Sequence, residues 1–387
     1  MTPTLITPGQ VLGVLGGGQL GAMFAGAARR LGYRIAVWDP DPDAPAHRLA
    51  THSFSCSFTD PSALDEFTQR ARAVTYEWEN VPAALCRQLE LRVSVRPSSR
   101  VLGIIQDRIE QKTFLAALGC PVPRFVALAR VEQLPAAVAD IGYPALCKTA
   151  TSGYDGKGQW KILREADVPG VQRAILESAR TGVRWIVESL VPFERELSLL
   201  VARGLDGQTV TYPVVENTHE EGILRTSVVP ASIPDPVREA AGQLARRVVE
   251  GLEGIGIFCL ELFHLPGGEL LINEVAPRPH NSGHYTLDAC SVSQFEQQVR
   301  AICGLPLGET RLLSPAAMVN IIGEEWHRVA GAEGCRSLMQ MPGAVLHHYG
   351  KQIVRPRRKL GHVTFLADDA MTARNRAAQF TAALRVR

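Results

Sequence analysis

The sequence predicts a chain of mixed class: an α/β unit, then an α+β unit, then a small β-rich tail. Three observations predict it. Strand-like and helix-like runs alternate through the first hundred residues. Beyond residue 108 short strands come closer together and are joined by one long amphipathic helix. From about Pro315 apolar strand-like runs dominate. Alternating strand and helix is the pattern of a parallel sheet covered by helices on its faces.

In order, residues 11–15 form a short β-rich run that ends in a glycine turn, and residues 19–31 read as a helix. Residues 33–38 form a second strand ending at Asp39, followed by strand candidates at 73–76 and 93–95. A helix over 108–118 is stopped by Gly119 and Pro121. Strands follow at 145–148, 185–188 and 197–202. Val237, Ala240, Ala241, Leu244, Val248 and Leu252 keep helical spacing over 237–252. A hairpin and a helix through Phe295, Val299 and Ile302 come next, then strand runs at 316–322, 344–349 and 362–366. The expected units are 1–107, 108–303 and 304–387.

Bulk properties exclude several classes. Apolar content of 46% and charged content of 21% suit an ordinary folded protein. A net charge of +2 gives no bulk attraction to nucleic acid or to an anionic membrane. Eight cysteines without a CxxC pair argue against structural zinc and a disulfide framework, and fit a reducing cytoplasm. No signal peptide is read at the start, and no apolar run is long enough to span a bilayer.

The most informative stretch is Glu261 to Glu274. Two apolar strands flank Gly267-Gly268, a hairpin signal. A two-residue turn centred there places Glu261 directly opposite Glu274. Like charges opposed on one sheet face are destabilising; the pair is either a solvated hairpin edge with two harmless glutamates or a cation site, and Mg²⁺ takes carboxylate and phosphate oxygens together. The run from Ala276 to His284, APRPHNSGH, then sets polar and cationic groups where a strand ends.

Two glycine-rich loops stand out. Gly16 to Gly21 fits GxGxxG between a strand and a helix, with Asp39 at the spacing of a ribose-binding acid. Alone it reads as dinucleotide binding, as a phosphate site at a helix N-terminus, or as a tight turn. Gly153-Tyr154-Asp155-Gly156-Lys157-Gly158-Gln159 lies between strands, with Lys148 before it. Glycines permit close backbone approach and the cations suit a triphosphate; the alternative is a solvated hairpin loop. The segment 188–198 connects two strands and is either a plain surface connection or a stretch that offers backbone groups to a purine edge and a carboxylate to ribose hydroxyls. Lys351 and residues 355–359 (RPRRK) are basic, either a solubilising patch or a phosphate clamp.

Together these motifs resemble the ATP-grasp superfamily and, within it, the N5-carboxyaminoimidazole ribonucleotide synthetases. The resemblance runs from the GGGQLG turn through GYDGKGQ, Val191-Pro192-Phe193, the run 217–224 and PRPHNSGH to Tyr349-Gly350-Lys351 and Arg358-Lys359. It implies an N-terminal Rossmann-like pre-ATP-grasp domain, an ATP-grasp domain and a C-terminal domain, in a homodimer. It implies ATP on Arg108, Lys148, Gly153 to Gln159, Glu188, Ser189, Leu190, Val191, Glu196, His219, Asn273 and Glu274, with Mg²⁺ on Glu261 and Glu274. Aminoimidazole ribonucleotide is expected on Gln19, Leu20, Glu77 or Glu79, Tyr154, Asp155, Arg278, His280, Asn281 and Ser282. Its phosphate is expected on Lys351 and Arg358.

The implied activity is carboxylation of the ribonucleotide by bicarbonate through carboxyphosphate, in purine biosynthesis. Arg278, Asp155 and His280 are the expected catalytic residues. Arg357 stands where many relatives have glycine, which leaves open how it shares a phosphate with Arg358. The nearest rival is a formate-using glycinamide ribonucleotide transformylase on the same scaffold. A nicotinamide-dependent dehydrogenase and a non-catalytic nucleotide-binding regulator are the readings from other classes.

Overall fold

Five parallel strands open the chain, in the order His52–Phe54, Arg34–Trp38, Val11–Leu15, Ala73–Tyr76, Ser94–Val95. The computed structural model describes residues 5–151, 158–178 and 183–385. Every residue of Val11–Leu15 is buried, as expected of a central parallel strand covered on both faces. The helix Gln19–Arg30 packs Leu20, Phe24, Ala25 and Ala28 against Leu12, Val14, Ile35 and Val37. Phe295, Val299 and Ile302 of the helix Gln294–Cys303 enter the same core. A helix from the second unit therefore seals the first sheet.

A four-stranded antiparallel sheet follows, in the order Phe125–Leu128, Trp185–Ser189, Ala145–Thr149, Gln159–Ile162. The second glycine loop joins the last two strands. Its residues 153–157 lie outside the described residues, so Tyr154, Asp155 and Lys157 are not placed.

Nine strands make the large sheet. Leu270–Ala276, Gly256–His264, Arg195–Arg203, Val215–Glu220 and Ile223–Val229 lead into Ala316–Ile322, Lys359–Leu366 and Ala344–His348, while Thr209–Thr211 pairs with Arg195–Arg203. The helix Asp235–Leu252 covers one face, where Val237, Ala241, Leu244 and Val248 meet Leu197, Leu199 and Val201. Because side chains alternate along a strand, Glu196 and Ser198 project from the opposite face. That alternation positions the site.

The tail is not a sheet of its own. Thr226, Ser227, Val228 and Val229 pair with Val319, Met318, Ala317 and Ala316, so its strands extend the large sheet. It is also more helical than expected, with Glu325–Ala330, Ala332–Gln340 and Ala370–Arg385. The last helix buries Ala373, Ala377, Phe380 and Leu384, a spacing legible in the sequence but made inconspicuous by small alanines.

Candidate active site

The hairpin brings Glu261 opposite Glu274, by a route that corrects the expected turn. Leu265 N–H donates to Glu269 O at 2.9 Å, so Pro266, Gly267 and Gly268 form a three-residue loop. Both glycines have positive φ, 102° and 93°, values that an L side chain resists. The longer loop shifts the pairing by one residue, setting His264 against Leu270 and Leu262 against Ile272. A bulge between that pair and the next restores Glu261 to Glu274. Burial pushes the Glu274 carboxyl up; Arg108, 4.0 Å away, opposes this, and Glu261 and Glu79 reinforce it. Burial also pushes Glu261 up, but the His280 ring more than offsets it and holds Glu261 at about 2.

Beneath these carboxylates runs a chain of buried polar groups. Ser227 Oγ donates to Asn217 Oδ1, Asn217 Nδ2 to Ser198 Oγ, and Ser198 Oγ to Ser282 Oγ, each at 2.8 Å. Ser282 Oγ meets His280 Nδ1 at 2.8 Å, and His280 Nε2 lies 3.3 Å from Glu261 Oε1. Ser282 is 1% exposed, so it serves the imidazole from below. Gln294 fixes the His280 backbone, accepting its N–H and donating to its carbonyl, both at 2.8 Å. Asn281 is also buried, yet among the described residues neither its Nδ2 nor its Oδ1 has a hydrogen-bond partner. Buried polar atoms without a protein partner are suited to receive a ligand.

The two glutamates after the strand Ala73–Tyr76 separate in role. Glu79 forms an ion pair with Arg278; burial raises the Glu79 carboxyl, and Arg278 reverses this to leave it low. Glu77 turns into the first glycine loop, accepting from Gly18 N–H and Gly21 N–H, each at 3.1 Å. Gly17 N–H donates to Asp39 Oδ2 at 2.6 Å. These contacts correct the readings of the loop as a phosphate or dinucleotide site, because protein carboxylates already hold its amides. A Cβ at Gly16 would sit 2.7 Å from Glu77 Cγ, and one at Gly18 2.8 Å from Glu77 Oε1. Those glycines make room for Glu77.

On the other wall, Lys148 Nζ donates to Glu188 Oε2 at 2.6 Å. His219 Nδ1 meets Glu196 Oε2 at 2.7 Å; burial lowers the imidazole, and Glu196 with Glu261 raises it overall. Arg108 Nη1 donates to Thr149 O at 3.1 Å. Leu190 N–H is held by Pro144 O at 3.0 Å, and Ser189 N–H by Arg124 O at 2.9 Å. In the tail, Lys351 Nζ donates to Lys359 O at 3.0 Å, and Arg358 Nη1 to Ile353 O at 2.9 Å. Arg357, at φ 66°, occupies the left-handed region that favours glycine, and its guanidinium reaches Glu221 Oε2 at 3.1 Å and Glu221 O at 2.9 Å.

One cleft of about 510 Å³ gathers these groups. Gln19, Leu20, Glu77, Glu79, Arg108, Lys148, Gly158, Gln159, Leu190, Glu196, His219, Glu261, Asn273, Glu274, Arg278, His280 and Asn281 all line it. Glu188, Ser189, Val191, Ser282, Lys351 and Arg358 do not. The cleft adds Trp78, Lys359 and the stacked pair Phe193 and Phe263, whose ring centroids are 4.7 Å apart. Lys112, 3.6 Å from Glu188 Oε1, was also missed. Its signal was its place one helical turn after Arg108.

Three family models match in sequence order: a ribonucleotide synthetase preATP-grasp domain over residues 10–106, an ATP-grasp domain over 113–295, and a phosphoribosylaminoimidazole carboxylase C-terminal domain over 316–376. The N5-carboxyaminoimidazole ribonucleotide synthase of Bacillus subtilis is 40% identical over 366 residues, 95% of this chain and 94% of that protein. The chain belongs to the N5-carboxyaminoimidazole ribonucleotide synthase family. Another synthase of that name, from Pseudomonas aeruginosa, is 41% identical over 96% of the chain and 98% of its own length. Among solved structures, an ADP complex of an N5-carboxyaminoimidazole ribonucleotide synthetase superposes with a TM-score of 0.92 at 41% identity, covering 98% of both chains. The Aspergillus clavatus synthase in complex with ADP and 5-aminoimidazole ribonucleotide superposes with a TM-score of 0.88 at 28% identity, over 99% of both chains. The first sheet lies in the preATP-grasp match, the four-stranded sheet in the ATP-grasp match, and the large sheet runs from the ATP-grasp match into the C-terminal one. Among the described residues no helix is long and apolar enough to cross a membrane.

Proposed function

We propose that this chain carboxylates 5-aminoimidazole ribonucleotide with bicarbonate and ATP, giving N5-carboxyaminoimidazole ribonucleotide in purine biosynthesis. The observation that carries the reading is the opposition of Glu261 and Glu274 in one cleft with Arg278 and His280. ATP lies along Arg108, Lys148, residues 153–159 and 188–191, Glu196, His219 and Asn273. The ribonucleotide lies against Gln19, Leu20, Glu79, Tyr154, Asp155, Arg278, His280 and Asn281, with its phosphate toward Lys351, Arg358 and Lys359. The unpartnered amide of Asn281 supports that placement. Ser282 and Glu77 position the groups above them. The domains divide at about 107 and 303.

Glu261 and Glu274 fit Mg²⁺, since two opposed, part-buried carboxylates offer hard oxygen ligands and leave Glu274 short of counter-charge. An ion held by these two carboxylates would supply charge neutralisation at the transferring phosphoryl group. A bicarbonate oxygen attacks the γ-phosphorus and the bond to the bridging oxygen breaks, releasing ADP. The exocyclic amine then bonds to the carbon of carboxyphosphate, or of the CO₂ it releases, phosphate leaves, and the amine proton passes to Asp155. Arg278, pre-aligned by Glu79, faces the anionic intermediate. Exclusion of water keeps that intermediate from hydrolysis.

The test is ADP release by the purified chain with Mg·ATP, bicarbonate and the ribonucleotide, each omitted in turn. ADP that depends on the ribonucleotide, with bicarbonate carbon in a labile carbamate, is the expected result. Turnover with formate and glycinamide ribonucleotide instead would overturn it. The same reading makes the enzyme a cytoplasmic homodimer, tested by sedimentation and cell fractionation.

A further inference from the structure

Two lysines converge on one carboxylate. Glu188, near the end of Trp185–Ser189, is 2% exposed. Lys148 Nζ donates to its Oε2 at 2.6 Å, and Lys112 Nζ lies 3.6 Å from its Oε1. Lys112 is itself 2% exposed, and its Nζ donates to Ile272 O at 3.3 Å. A fully buried lysine is rare because desolvating an ammonium is costly. One lysine already neutralises Glu188, so the second leaves the cluster with a net charge of +1. Lys148 lines the cleft and Lys112 does not.

We propose that Lys112 is a positioning residue for the nucleotide: it balances Glu188 from behind, so that Lys148 presents uncompensated positive charge to a polyphosphate. This rests on the reading that Lys148 contacts ATP. Without Lys112 the Lys148–Glu188 pair is neutral, and the wall of the cleft loses its attraction for an anion. Lys112 touches no substrate and acts only through Glu188 and Lys148. A charge series follows, with the cluster at 0 in K112M, +1 in the wild type and in K112M/E188Q, and +2 in E188Q.

The experiment is steady-state kinetics of the full chain with ATP and the ribonucleotide varied separately, for K148M, K112M, K112R and K112M/E188Q. K112M is expected to raise the KM for ATP about tenfold, as loss of one nearby charge would, and to leave the KM for the ribonucleotide unchanged. K112R and K112M/E188Q are expected to return the ATP KM toward the wild-type value. A merely structural role would not be rescued by removing a second buried charge. An unchanged ATP KM in K112M, an equal rise in both KM values, or no recovery in K112M/E188Q would overturn the proposal. An unchanged ATP KM in K148M would instead sink the nucleotide reading beneath it. Should K112M fail to fold, calorimetric binding of ADP to E188Q decides: tighter binding than wild type supports the proposal, and equal or weaker binding overturns it.

Discussion

Glu261 and Glu274 stand opposite each other because a bulge in the second strand undoes the register shift made by the three-residue loop between them. The bulge preserves a juxtaposition that costs stability, since two like charges face each other on one half-buried patch of the sheet. We therefore expect Glu274→Gln to lose ATP turnover by about 100-fold or more without lowering the thermal midpoint. Coupled ADP-release assays and a melting curve check both halves. Retained activity would remove the metal assignment.

The hydroxyl of Ser198 sits midway along the chain from Ser227 to His280. Ser198→Ala leaves the Asn217 amide without its acceptor and Ser282 without its donor. We expect about 2 kcal/mol of lost stability, the usual cost of orphaning buried polar groups. A roughly tenfold fall in kcat is expected with it, the scale seen when a group behind a metal ligand is removed. Denaturant unfolding and initial rates read the two effects separately.

Burial pushes the Lys112 ammonium down to about 8; Glu188 opposes this, Lys148 adds to it, and Glu274 also faces the group. Because this value lies below that of a free lysine, the neutral amine takes over in the folded protein above about pH 8. The surplus charge beside Lys148 then disappears. The KM for ATP is expected to rise between about pH 7 and pH 9 in the wild type, and to stay flat in K112M. Folding has the opposite trend: the cost of burying this ammonium is full below about 8 and lifts between about 8 and 10.5.

Arg357 and Lys351 are expected to behave differently. Arg357 holds Glu221 from a left-handed backbone position, so Arg357→Gly trades a surface contact for relief of strain. We expect stability to change by less than about 1 kcal/mol and the ribonucleotide KM to stay put. Lys351→Ala is expected to raise that KM about tenfold, as loss of a charged phosphate contact would. Parallel KM measurements on the two variants separate a clasp from a clamp.

Much of this site was legible because its chemistry is local in sequence. Glu261 and Glu274 sit on either side of a visible turn, and Arg278, His280 and Asn281 follow in one run. The first glycine loop misled because the same glycines that admit a phosphate also admit a carboxylate, and Glu77 is about sixty residues away. Nothing in the spacing revealed that Ser198, Asn217 and Ser282 would meet, since each lies on a different segment. The helical tail was overlooked because alanine at the packed positions weakens the apolar stripe that announces a helix.

The strand Ile223–Val229 pairs directly with Ala316–Ile322, so no flexible seam separates the half that carries the paired glutamates from the half that carries Lys359. Their spacing is counted out in backbone hydrogen bonds across one continuous ladder. The distance between the two ends of the cleft is thus a property of strand order, graduated in steps of about 4.8 Å from one strand to the next. An insertion in the linker between the two halves would leave that distance alone. A one-strand slip at this junction would not.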